Sequence, residues 1–215
     1  MAQKKIVVID YGLGNLFSVQ QAFVSFGVNA IITRDPAELK SADAAVLPGV
    51  GAFGDAIKNL REYDLFEHIP EFVKSGKPFL GVCLGMQLLF EESEEFGPHK
   101  GLGIIKGQIK KFPDLNPAGQ KLRIPQISWN TIYAPEGKPW SGTPLENMKE
   151  NEFMYFLHSY YASPAEKNDI LTLTNYDGIE YCSAVKKENV FAMQFHPEKS
   201  AGEGIRIYKN WVEQI

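Results

Sequence analysis

Cysteine is scarce in this chain: its 215 residues include two, Cys83 and Cys182, far apart in sequence. Such a pair makes no disulfide framework, and a reducing, cytoplasmic setting is the expectation. Charge of one sign is lacking too. The 22 Lys and Arg against 26 Asp and Glu leave a net charge of −4 with no basic face, which argues against nucleic acid as the main partner. No apolar run reaches the roughly 18 residues of a membrane span, so no membrane association is expected. The first ten residues carry two lysines, then a strand-sized apolar run and an aspartate, not the long apolar core and cleavage site of a secretory signal. Repeats, low-complexity tracts and linkers are missing, so residues 1–215 are read as one domain. Apolar content of 44% is ample for its core. No Cys-x-x-Cys or similar ligand spacing occurs, which disfavours a metal site.

What the chain does have is an unusual corner. From Lys77 to Glu92 it reads Lys-Pro-Phe-Leu-Gly-Val-Cys-Leu-Gly-Met-Gln-Leu-Leu-Phe-Glu-Glu. Pro78 to Val82 reads as a buried strand. Leu84, Leu88, Leu89 and the carboxylates after them read as an amphipathic helix that starts at once. Cys83 lies between the two, with Gly81 and Gly85 each two residues away. This is the Gly-x-nucleophile-x-Gly arrangement with sulfur in place of a serine hydroxyl. The glycines permit a sharp turn that lifts the side chain out of the sheet, and a helix start draws a thiol towards the thiolate. A small buried cysteine beside packing glycines is the simpler alternative.

The preceding chain alternates. Lys5 to Asp10 is a strand ending in Tyr11-Gly12-Leu13-Gly14-Asn15, followed by a helix with Leu16, Val19, Phe23 and Phe26 on one face and Gly27 as its stop. Phe17 stands where a dinucleotide fingerprint needs its third glycine. Val28 to Thr33 is a strand, Asp35-Pro36 opens a short helix, and Ala44 to Leu47 is a strand running into Pro48-Gly49-Val50-Gly51-Ala52-Phe53-Gly54. Helical pieces follow at Asp55–Glu62 and Leu65–Ser75. This rhythm predicts a parallel sheet with helices on both faces. The glycine turns after Asp10, Leu47 and Val82 all fall at carboxyl ends of strands, which favours one site built from all three. Beyond Gly97, strands are expected at Ile104–Phe112, Leu122–Ile127, Phe153–Tyr161, Ile170–Thr174, Tyr181–Val185 and Val190–Phe195. They read as antiparallel additions and a small side sheet. Gly202–Ile215 closes the chain as a helix.

A cysteine nucleophile needs a base, and the base needs an orienter. Of four histidines, His68 lies among carboxylates on a surface helix and His99 in a Gly-Pro turn. His158, in Tyr-Phe-Leu-His-Ser-Tyr-Tyr, is either structural or substrate-lining. His196 stands at the end of a buried strand in Phe-His-Pro-Glu-Lys-Ser. In extended chain, residues two apart face the same side, so Glu198 can hold one ring nitrogen while the other faces the thiol.

Together, Gly-Val-Cys83-Leu-Gly-Met-Gln and His196-Pro197-Glu198 resemble a class I, triad-type glutamine amidotransferase domain over nearly the whole chain. Tyr11–Asn15, Pro48–Gly54, Trp129-Asn130, His158-Ser159-Tyr160 and Phe195–Ser200 resemble the branch that serves as glutaminase subunit of imidazole glycerol phosphate synthase in histidine biosynthesis. The resemblance implies a three-layer α/β, flavodoxin-like fold and hydrolysis of L-glutamine to glutamate and ammonia without a cofactor. It implies a catalytic triad of Cys83, His196 and Glu198. The oxyanion would be met by the backbone N–H of Leu84 and one from the Gly49-Val50-Gly51 turn. Glycine on both sides of Val50 would let that peptide flip on a partner's signal. Gln87 and the Ser159-Tyr160 backbone would hold the ends of the substrate. Ammonia would pass to a barrel-shaped cyclase subunit in a heterodimer, past Asn15, Trp129, Tyr155 and Lys199. Trp129 as side-sheet core and Lys199 as a solvated charge are the plainer alternatives.

The family usually has glycine before Trp-Asn, where this chain has Ser128 in Pro125-Gln126-Ile127-Ser128-Trp129-Asn130. That run is expected as a partner-facing loop, and the change bears on the partner, so a paralogue serving a different synthase is one alternative. The ammonia-donating subunit of pyridoxal phosphate synthase fits the Pro48–Gly54 stretch less well. A metal hydrolase with Cys83, His158, His196 and Glu198 as ligands lacks ligand spacing. A flavodoxin-like binding module leaves the Cys-His-Glu set unexplained.

Overall fold

The computed structural model describes residues 4–215. Its first half holds β1 (Ile6–Ile9), α1 (Leu16–Val24), β2 (Ile31–Thr33), α2 (Pro36–Ser41), β3 (Ala44–Leu47), α3 (Phe53–Glu62), α4 (His68–Lys74), β4 (Phe79–Val82) and α5 (Leu84–Leu88). The rest holds β5 (Phe90–Ser93), β6 (His99–Lys100), β7 (Ile105–Lys111), β8 (Gln126–Ile132), β9 (Glu152–His158), β10 (Tyr160–Pro164), β11 (Ile170–Tyr176), β12 (Ile179–Lys187), β13 (Val190–Met193) and α6 (Ala201–Glu213).

Strands β1, β3 and β4 are buried at every position, the continuous apolar signature of a sheet covered on both faces. They pair in parallel, with β2 outside β1 and β13 beside β4, giving the order β2-β1-β3-β4-β13. Antiparallel β12, β10 and β7 continue an 11-stranded sheet, with β11 on β12, while β5 returns parallel to β7. Alternate residues sort into two layers. Ile6 and Val8 pack with Val19 and Phe23 of α1 and with Ile207, Tyr208 and Trp211 of α6. Val7 and Ile9 pack with Leu39 of α2, Phe53 and Leu60 of α3 and Phe72 of α4. Each such side chain contributes about 1.5–3 kcal/mol through burial. The result is helix, sheet, helix: the three-layer α/β architecture expected.

Several local expectations are corrected. The helix after Cys83 is five residues long and buried throughout, not amphipathic, and Phe90 opens a strand instead of continuing it. The cause is tertiary: the Leu89 carbonyl accepts the N–H groups of Ile104 and Ile105, and β5 pairs with β7. The expected strand at Leu122–Ile127 is displaced to Gln126–Ile132. Trp129 and Asn130 therefore lie in a strand, not a loop. Phe153–Tyr161 divides at Ser159. β9 joins β8 in a separate two-stranded sheet, while β10 belongs to the main one. His99 is in β6, its ring against Gly54 and Phe53, where a methyl group on Gly54 would lie 2.7 Å from the imidazole.

Candidate active site

The corner after β4 is built by exclusion of side chains. A Cβ on Gly85 would stand 1.7 Å from the Leu47 carbonyl oxygen, and one on Gly81 would stand 2.9 Å from Cβ of Ala192. Without those atoms α5 can fold back against β3 and β4, and Cys83 takes φ +54° at the bend. A non-glycine residue in that region costs about 1–3 kcal/mol, a strain the packing on both sides must hold. The Cys83 N–H donates to the Met193 carbonyl at 2.8 Å, which fixes the corner to β13.

The same strand β13 leads to His196. Its N–H donates to the Tyr155 carbonyl at 2.9 Å and its carbonyl accepts from Ser200 Oγ at 2.7 Å. Pro197–Lys199 is a single 3-10 turn, so His196 and Glu198 meet across a turn and not along extended chain. His196 Nδ1 lies 2.8 Å from Glu198 Oε1, both side chains being 2% exposed. The Tyr208 hydroxyl of α6 donates to Glu198 Oε2 at 3.2 Å. His196 Nε2 is buried without a hydrogen-bond partner. Burial opposes the charge of this imidazole, yet the adjacent Cys83 sulfur and the Glu198 carboxylate outweigh it and raise His196 to about 10.

Cys83 opens into a cavity of about 260 Å³ lined by Val50, Gly51, Leu84, Gln87, Glu95, Pro125, Leu157 and the His158–Tyr160 segment. Two of the three glycine turns therefore contribute directly. The third, after Asp10, does not line the cavity. It braces the second: the Tyr11 hydroxyl donates to the Pro48 carbonyl at 2.8 Å, and a Cβ on Gly49 would stand 2.0 Å from that hydroxyl. The Leu84 N–H is occupied, donating to the Gly49 carbonyl at 3.4 Å. Gly49 C=O and Val50 N–H belong to one peptide plane, so rotating that plane would free one donor and present a second.

At the far end, Gln87 Nε2 donates to the Tyr160 carbonyl at 3.0 Å. His158 is a fixed part of the wall. Nδ1 lies 2.8 Å from the Tyr160 carbonyl and Nε2 3.2 Å from the Tyr181 hydroxyl. Burial lowers His158 to about 4, so it is neutral, and neither nitrogen is free for a metal. Glu95, which the sequence did not single out, is the anionic group among the described lining residues. Its Oε2 accepts from the Phe53 N–H at 2.6 Å, and partial burial raises its carboxyl. Tyr208 was missed as well, because its link to Glu198 exists only after α6 packs. Gln194 behind the sulfur was likewise unread.

Of the four remaining candidates, Trp129 and Lys199 are exposed and Asn15 and Tyr155 are half-buried. Trp129 and Tyr155 are paired across β8 and β9 with ring centroids 6.1 Å apart, and Lys199 Nζ is 5.8 Å from the Tyr155 ring. Trp129 is 49% exposed beside exposed Ile127 and Phe153, so it is not side-sheet core. Asn15 caps α1, its Oδ1 accepting from the Ser18 N–H at 3.4 Å. A separate depression of about 230 Å³, lined by Pro36, Lys40, His68 and Phe72 among others, holds no cysteine.

The geometry has counterparts among known proteins. The family model for glutamine amidotransferase class-I matches residues 7–215. The imidazole glycerol phosphate synthase subunit HisH of Sulfurimonas denitrificans is 46% identical over 209 residues, covering 97% of each chain. That of Syntrophotalea carbinolica is 47% identical over 207 residues, covering 96% of this chain and 98% of the relative. Among solved structures, PurLQS from Thermotoga maritima superposes with a TM-score of 0.73 at 18% identity over 98% of both chains, a likeness of fold alone. No helix among the described residues is long and apolar enough to cross a membrane. With the family model spanning almost the whole sequence, the chain belongs to the class-I glutamine amidotransferases.

Proposed function

We propose that this chain is the glutaminase subunit of an imidazole glycerol phosphate synthase, hydrolysing L-glutamine and passing ammonia to a cyclase subunit in histidine biosynthesis. One observation carries the chemistry: a cysteine on a strained corner stands close enough to raise an imidazole that Glu198 holds by Nδ1 and whose buried Nε2 has no hydrogen-bond partner. Cys83 sulfur attacks the side-chain amide carbon of glutamine, forming a C–S bond, with the proton they share held on His196, whose imidazole is raised to about 10. The C–N bond then breaks, and ammonia leaves with that proton from His196. Water attacks the thioester, His196 accepts its proton, and the C–S bond breaks to return the sulfur and release glutamate. Glu198, itself held by Tyr208, fixes the tautomer and balances the imidazolium charge.

Glu95 suits the substrate's α-ammonium, and Gln87 with the Ser159-Tyr160 backbone suits its carboxylate end. The oxyanion receives the Leu84 N–H and, after rotation of the Gly49-Val50 peptide, the Val50 N–H. In the resting arrangement neither is delivered, which supports low activity for the isolated chain. Ammonia released into water becomes ammonium and ceases to be a nucleophile, so a partner must take it directly. The exposed face of β8 and β9, with Trp129, Tyr155 and neighbouring Lys199, suits that partner. The Tyr155 carbonyl also holds the His196 N–H, so the same strand links docking face and base. Cytoplasmic residence fits the free thiols, and the relatives' names favour the histidine pathway over a paralogous synthase.

The test is Cys83→Ala in the reconstituted pair. Glutamine-dependent synthesis is expected to vanish while ammonia-dependent synthesis persists. Loss of both, or of neither, contradicts the division of labour.

A further inference from the structure

We propose that Gln194 is a catalytic hydrogen-bond donor to the Cys83 sulfur, an assignment that rests on the nucleophilic reading of Cys83 given above. Gln194 directly follows β13 and is fully buried. Its backbone N–H already fixes the strand end by donating to the Ser183 carbonyl at 2.8 Å, so register does not require its side chain. That side chain lies between two groups: Nε2 is 3.6 Å from Cys83 Sγ, and Oε1 is 2.9 Å from Gln87 Nε2.

The direction of these bonds follows from counting hydrogens. The Tyr160 carbonyl can only accept. Neutral His158 therefore carries its proton on Nδ1 and donates it there, and Gln87 turns its NH₂ to the same oxygen. The second hydrogen of that NH₂ meets Gln194, which must answer with its carbonyl oxygen. Gln194 then has only its own NH₂ to present to the sulfur. Being a donor without acceptor capacity, it favours the thiolate over the thiol. It meets the electron pair twice in the cycle: before attack, and when the C–S bond breaks and the pair returns to sulfur. His196 supplies a proton that moves; Gln194 supplies one that stays. The arrangement also joins the wall that suits the substrate's backbone end, through Tyr160 and Gln87, to the nucleophile by one directed line of hydrogen bonds.

Two variants test this: Gln194→Met, of similar size without a donor, and Gln194→Glu, of the same shape with an anion facing the sulfur. The probe is iodoacetamide, which needs no amino-acid binding, with modification mapped to Cys83 by mass. Alkylation near pH 7 is expected to slow about tenfold in Gln194→Met and further in Gln194→Glu, as loss of a hydrogen bond to a charged group implies. The pH of half-maximal alkylation should rise in the same order. In the reconstituted pair, kcat should fall in parallel while KM for glutamine moves less than about threefold. An unshifted pH profile in folded variants overturns the proposal and leaves Gln194 a packing residue. In the unsubstituted chain, the side-chain amide resonance of Gln194 should move with pH over the interval in which Cys83 becomes reactive, and a stationary resonance overturns it even if neither variant folds. Absence of any Cys83 adduct in the unsubstituted chain is a different result, which removes the nucleophilic reading itself.

Discussion

The corner after β4 and the turn after β3 border the same cavity but are held in different ways. At the corner, Gly81 and Gly85 admit no added atom, the Cys83 N–H is bonded to Met193 at 2.8 Å, and every residue of α5 is buried. At the turn, Val50 is half-buried, Gly51 is exposed, and the hydrogen bond between Leu84 and Gly49 is long at 3.4 Å. Cys83 is thus fixed in advance, whereas the donors proposed for the oxyanion depend on a peptide plane with glycines on both sides. Under the proposed function, a protein that releases ammonia only to a waiting partner gains from this split: the attacking atom need not be assembled, and turnover waits on one rotation.

The sharpest way to break the comparison is to disturb the rigid side. Gly85→Ala drives a methyl group into the Leu47 carbonyl, against backbone that cannot withdraw without parting α5 from β3. We expect a loss of about 3 kcal/mol or more, or no folded protein, read from urea unfolding. A stable variant would mean that the corner yields and that the contrast is false. The loose side is tested by Val50→Pro, which removes the one N–H that rotation would supply. Partner-stimulated glutamine turnover should fall about 100- to 1000-fold, while iodoacetamide reaction at Cys83 changes little. Unaltered turnover would place the second donor elsewhere.

The contrast also explains what could be read from the residues. β1, β3 and β4, the corner at Cys83 and the contact of His196 with Glu198 were legible because each rests on local chemistry: a strand-length apolar run, glycines two residues either side of a cysteine, or a spacing of two residues. Leu84–Glu92 was not, since Leu88-Leu89-Phe90 followed by carboxylates satisfies helix and strand patterns alike. The deciding contacts come from Ile104 and Ile105. Glu95, Tyr208 and Gln194 were invisible for a related reason. Their roles depend on distant segments meeting, and nothing in their own neighbourhood distinguishes them from a surface acid, a core tyrosine and a strand-end amide. The rotation proposed at Val50 rests on its flanking glycines, whereas the occupied Leu84 donor appears only in three dimensions.

A last prediction separates the two sides by pH. His196 is raised to about 10, so its stabilising charge is fully present below the unfolded value of about 6.5 and is lost as pH climbs through 10. His158 is lowered to about 4, so the folded protein resists the proton that the unfolded chain accepts, and stability is lost as pH falls from about 6.5 towards 4. Both groups lie outside the Gly49–Gly51 turn, which holds none that titrates. Urea midpoints at about pH 5, 7 and 9.5 should therefore be highest near neutrality and fall in both directions. Cys83→Ala removes the sulfur that does most to raise His196, so it should flatten the alkaline fall and leave the acid fall unchanged. Val50→Pro should preserve the shape of both. An alkaline fall of undiminished slope without the sulfur would mean that Glu198 alone holds the imidazolium, and that the corner and its base are less tightly joined than their geometry implies.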